Sequence, residues 1–114
     1  MISEKLKGEE LNAIQFIMDY LQVHFNSIGF TFFIWPKIYI NNKTYEFGNI
    51  EYRNKLCEFI GKTVIDVSIL EGEVMEVKFS EGERLQLNLD PNNPEIVGEI
   101  AIFWDEDGSC RVFE

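Results

Sequence analysis

From Thr63 to Leu89 apolar residues fall on every second position, and that alternation constrains this chain more than any other feature. Thr63, Ile65, Val67 and Ile69 alternate with Val64, Asp66 and Ser68; Met75, Val77 and Phe79 alternate with Glu76 and Lys78; Leu85, Leu87 and Leu89 alternate with Arg84, Gln86 and Asn88. Successive side chains of a strand point to opposite faces, so a period of two marks a sheet with one dry and one wet face. Glu71-Gly72 and Ser80-Glu81-Gly82 separate the three runs as turns, which predicts a β-meander over 63–70, 73–80 and 83–89. Asp90-Pro91-Asn92-Asn93-Pro94 breaks the pattern, because proline cannot donate to a central ladder. Glu99 to Trp104 and Cys110 to Phe113 then read as two further strands around a turn at Asp105 to Ser109.

The N-terminal half suggests a different period. Leu11, Ile14, Ile17, Met18, Leu21, Phe25 and Ile28 recur at spacings of three and four, which predicts an amphipathic helix from about Glu9 to Ile28. Gly29 would end it in a left-handed conformation. The short run Phe30 to Trp35, closed by Pro36, reads as a strand, and Lys37 to Phe47 as a hairpin around Asn41-Asn42-Lys43. Glu51 to Ile60 carries Tyr52, Leu56, Phe59 and Ile60 at helical spacing and stops at Gly61. The expected fold is one α+β domain over residues 1–114, with 1–8 as a frayed start. In it a long N-terminal helix covers the dry face of a mostly antiparallel sheet, beside a C-terminal β-meander and a second short helix.

Composition supports a packed core. The 114 residues are 46% hydrophobic and 14% aromatic, far from the profile of a disordered chain. No apolar run approaches the ~20 residues that span a bilayer. Met1 to Glu10 is charged with both signs and shows no signal-peptide core, which points to a cytosolic protein and to reduced thiols at Cys57 and Cys110. Twenty acids against ten bases leave a net charge of −10, which argues against nucleic acid as a partner. That charge is unevenly placed: residues 1–65 hold seven acids and seven bases, residues 66–114 thirteen acids and three bases.

Catalytic patterns are missing from the chain. His24 is the one histidine; it lies near the apolar stripe and reads as a boundary residue. The glycine patterns of phosphate loops and the nucleophile elbow do not occur. Trp104-Asp105-Glu106-Asp107-Gly108 begins like a calcium loop, lacks its closing ligands, and reads as a hairpin turn. Asp66 has apolar neighbours, yet alternation puts it on the wet face. No catalytic, cofactor-binding or metal-binding residue is therefore expected. The aromatic segment 30–47 either belongs to the core or lines a small-ligand pocket at Phe32, Trp35 and Tyr45.

If the C-terminal strands follow one another in a single sheet, alternate turns fall at opposite ends. One end then gathers Glu81, Glu83, Asp105, Glu106 and Asp107; the other gathers Glu71, Glu73, Asp90 and Glu95. Such charge serves solubility, or it meets a basic partner whose approach it accelerates.

Leu56-Cys57-Glu58-Phe59-Ile60-Gly61-Lys62-Thr63-Val64, a hairpin turning at Phe79-Ser80-Glu81-Gly82, and the strand Gly98-Glu99-Ile100-Ala101-Ile102 together resemble small bacterial immunity proteins of polymorphic toxin systems. The likeness covers residues 56–102. It implies binding and neutralisation of a cognate protein toxin, frequently a basic nuclease, by a protein that is not an enzyme. The expectation is thus a cytoplasmic immunity or inhibitor protein, a monomer or weak homodimer. Its contacts would be Glu81, Glu83, Asp105, Glu106 and Asp107, with Glu71, Glu73, Asp90 and Glu95 in reserve, and it would need no membrane, nucleic acid or cofactor.

Overall fold

The computed structural model describes residues 2–114. In chain order they form α1 (Ile2–Leu6), β1 (Ala13–Ile17), β2 (Tyr20–Phe25), β3 (Ile28–Phe32), β4 (Lys37–Ile40), β5 (Lys43–Tyr45) and α2 (Tyr52–Cys57). There follow β6 (Val64–Leu70), β7 (Val74–Phe79), β8 (Arg84–Asn88), β9 (Ala101–Trp104) and β10 (Cys110–Phe113). The strands make two five-stranded antiparallel sheets, ordered β1-β2-β3-β9-β10 and β5-β4-β8-β7-β6. Among the described residues no helix is long and apolar enough to cross a membrane.

The long N-terminal helix does not exist, and the α+β expectation gives way to a mostly β fold. Residues 13–32 are instead a three-stranded meander with two-residue links at Met18-Asp19 and Asn26-Ser27. The helical stripe leaves out Phe16, Tyr20 and Val23, apolar residues that a strand places readily. Within β2, Leu21, Val23 and Phe25 are buried and alternate with Tyr20, Gln22 and His24. Aromatic and β-branched residues fit a pleated surface, and here they outweigh the accidental three-four spacing. Asn26 takes φ +64° at its turn, a conformation that asparagine tolerates and a continuing helix cannot use.

The strand expected over Phe30 to Trp35 is shifted to Ile28–Phe32, while several other elements fall where the periodicity put them. Asn41 and Asn42 both have positive φ in the two-residue turn joining Ile40 to Lys43, as a tight hairpin requires. The α2 helix buries Tyr52 and Leu56. The meander of β6, β7 and β8 is present, with an irregularity between Val64 and Asp66 that leaves Ile65 half-exposed and restores Val67 to the core. The last two strands do not continue it. They cross to the first sheet, where β9 pairs with β3.

The inner faces of both sheets contribute to one core that includes Phe25, Phe30, Phe32, Phe79, Leu85 and Phe103, joined by Leu6 of α1 and Leu56 of α2. Gly29 has a role other than helix capping. It lies in β3 between His24 and Trp104, and a Cβ there would come 2.3 Å from the Val23 carbonyl oxygen and 2.7 Å from the Trp104 ring. The Trp104 indole therefore covers the backbone at this point. Gly29→Ala should lower stability by about 1–3 kcal/mol or more, read from the midpoint of urea unfolding; an unchanged midpoint would show that the ring moves aside freely.

Candidate binding surface

Pairing register sorts the outward positions of the two sheets, and the sheets differ sharply. On the second sheet the outer positions include Lys37, Asp66, Glu76, Lys78 and Arg84. These form a connected polar face: Arg84 bonds Glu76 at 3.0 Å and lies 4.1 Å from the Tyr39 ring centre, and Gln86 bridges Tyr39 and Glu76. Mixed charges of this kind are an ordinary solvated face.

The first sheet turns outward Ala13, Gln15 and Ile17 from β1, Tyr20, Gln22 and His24 from β2, and Gly29 and Thr31 from β3, the last two buried. It adds Ile102 and Trp104 from β9 and Cys110 and Val112 from β10. None of these is an Asp, Glu, Lys or Arg, in a chain that is 26% charged. Four of the polar side chains on this face pair with one another. Gln22 donates to Thr31 Oγ1 at 3.2 Å, and His24 Nε2 meets Gln15 Oε1 at 2.7 Å while its ring packs 5.1 Å from Trp104. Tyr20 leans against Phe33 at 5.8 Å, extending the face beyond β3. His24 thus sits on a strand beside a glutamine, with no acid–base partner on its ring among the described residues.

The acidic residues occupy the margins and divide into two groups. Glu81 and Glu83 flank the β7–β8 turn, and both are held by Lys62, at 2.6 and 2.9 Å. Glu83 is buried, and its second carboxylate oxygen has no partner within the described residues. The Lys62 ammonium hydrogen-bonds the Glu81 carboxylate and holds it below the usual range, while Glu81 first and Glu83 second push Lys62 up. Asp105 is covered by Lys5 of α1, whose ammonium it raises, and Asp66 and Glu71 pair with Lys7 and Arg111.

Glu106 and Asp107 remain exposed, without a basic partner among the described residues. The Asp107 carboxylate is held low by the Ser109 hydroxyl and backbone N–H, and Glu106 accepts from Ser27 at 2.9 Å. Of the five acids expected at one end, the structure therefore leaves Glu106 and Asp107 bare, beside the charge-free face, and ties up Glu81, Glu83 and Asp105. In the reserve set, Glu73 and Glu95 line one groove with Trp35, while Asp90 caps the loop after β8 by accepting from Asn92 N.

No known protein family, curated protein or solved structure matches this chain. What the surface is for must be read from its own chemistry.

The aromatic segment divides as well. Phe30, Phe32 and Tyr45 are core residues, so a buried cavity at Phe32 and Tyr45 is absent; Phe33, Trp35 and Phe47 instead line an open groove. The three-four spacing of apolar residues over 9–28 hides the charge-free face in the sequence. Alternating the same residues by two puts Tyr20, Gln22 and His24 on one side, which is the signal that finds it.

Lys62→Met should cost about 2 kcal/mol or more at neutral pH, because Glu83 is left buried without its counter-charge. The depressed Glu81 carboxyl contributes stability above its unfolded value of 4.5. That contribution is lost as pH falls through the lower folded value. Urea midpoints followed downward from pH 5 should therefore drop less steeply in Lys62→Met than in the native chain.

Proposed function

We propose that this chain is a cytoplasmic binding protein of the immunity type, an inhibitor that captures a basic protein toxin. One observation supports this above the others: a sheet face without formal charge, bordered by unpaired acids. Interfaces concentrate aromatic and apolar groups at the centre, are depleted of charge there, and keep a polar rim. Tyr20, Ile102 and Trp104 supply such a centre. Glu106 and Asp107 border it at one end, and Asp19 and Glu99, which meet around Phe33, border it at the other.

The sign of the rim selects the partner. A second copy of a chain with net charge −10 would bring acids against acids, whereas a Lys- and Arg-rimmed protein relieves them. Burial of the uncharged centre sets the dissociation rate, and the acidic rim sets how fast a basic protein arrives. The exposed thiols Cys57 and Cys110 fit a reducing compartment. The likeness of residues 56–102 to immunity proteins agrees with this role.

The natural test partner is a basic protein encoded beside this gene, immobilised for surface plasmon resonance. Ile102→Lys should weaken binding by about 100-fold or more, since a charge is forced into a desolvated centre. Glu106→Lys with Asp107→Lys should slow association by about tenfold and flatten its salt dependence. Ser68→Lys, on the outer face of the second sheet, serves as the control and should change neither. Native affinity in Ile102→Lys, with its circular dichroism intact, rules out this face.

A further inference from the structure

A second feature lies off that face, where the links after β3 and β5 meet. The Trp35 and Phe47 rings stack at 4.3 Å, only 13° from parallel. Both stand edge-on to Tyr52, at 6.4 and 5.9 Å, and buried Tyr52 donates its hydroxyl to the Pro36 carbonyl. Burial pushes the phenol upward, so it stays protonated and keeps donating. The aromatic pair is therefore fixed from below, yet Phe47 is 48% exposed.

Beside the pair lies a groove of about 450 Å³, bounded by Phe33, Trp35, Phe47, Glu46, Glu95 and Lys37. An adjoining hollow shares Trp35, Lys37, Glu46 and Glu95 and adds Glu73. Among the described residues these three glutamates have no ion-pair partner, and Lys37 is the one base on the walls. One cation of the chain already lies against this aromatic pair from outside the groove. The guanidinium of Arg53 sits 5.8 Å from the Phe47 ring centre. Aromatic faces draw cations through their quadrupole, and nearby carboxylates add direct attraction.

We infer that this groove is a binding site for a guanidinium or alkylammonium group, its flat or apolar side on Trp35 and Phe47 and its charge toward Glu46 and Glu95. Its volume falls within the span of small-molecule pockets. The cation can come from a free small molecule or from a basic side chain of a peptide. Neither source requires the charge-free sheet face.

The test is an NMR titration of the full chain with butylguanidinium, with uncharged butylurea and with the peptide Gly-Arg-Gly, following the two indole N–H signals. Trp35→Phe, which keeps a stacking ring, assigns them. Butylguanidinium should shift the Trp35 signal saturably and leave Trp104 unmoved, and butylurea should do neither. Glu46→Gln with Glu95→Gln, both at the surface, should weaken binding about tenfold. Tighter binding of Gly-Arg-Gly than of butylguanidinium assigns the site to a peptide side chain, and the reverse order to a free cation. The site is overturned if the cations produce no saturable Trp35 shift, if butylurea matches them, or if the double variant binds as the native chain does.

Discussion

The pairing of β3 with β9 holds the two halves of this molecule together. It aligns Gly29 with Trp104 and Phe30 with Phe103 across some seventy residues of intervening chain. Bringing such distant segments together costs loop entropy, and the side chains on both faces of the pairing offset it. Inside, the Phe30 and Phe103 rings meet edge-on at 5.2 Å. Outside, Trp104 closes over a glycine. With β9 in place every residue of β3 is buried, and β10 follows as the outer strand of that sheet.

The consequence of that crossing is electrostatic. Had β9 and β10 extended the C-terminal meander, their acidic turn would have joined the others on one sheet. Placed in the first sheet, the turn stands beside twelve outward positions that carry no formal charge. Lys5, Lys62 and Arg111 neutralise Asp105, Glu81 with Glu83, and Glu71. The pairs made with exposed Glu81 and Glu71 contribute little stability. Their larger effect is to decide which carboxylates stay open.

Much of the fold was legible in the sequence, for identifiable reasons. The β6–β8 alternation is backed by turn residues at both joints, and the Asn41-Asn42 turn uses residues that tolerate positive φ. The failure at residues 9–28 came from a short apolar pattern that satisfies two periods at once. Phe16, Tyr20 and Val23 were the discriminating residues, since a helix leaves them on its polar side. The acids were read correctly as turn residues, but neither their lysine partners nor the burial of Glu83 can be inferred from spacing, because Lys62 lies nineteen or more positions away.

By itself, the sequence determined the local matters: where strands alternate, where turns fall, that a core of this size forms, and that residues 66–114 carry the excess negative charge. Those properties follow from neighbours along the chain and from summed composition. Only the tertiary structure decided which strands share a sheet, which face lacks charge, which acids are paired, and that Trp35 and Phe47 stack beside a groove. These depend on contacts between segments far apart in the chain, and pairing partners across that distance are selected by the packing of the whole core.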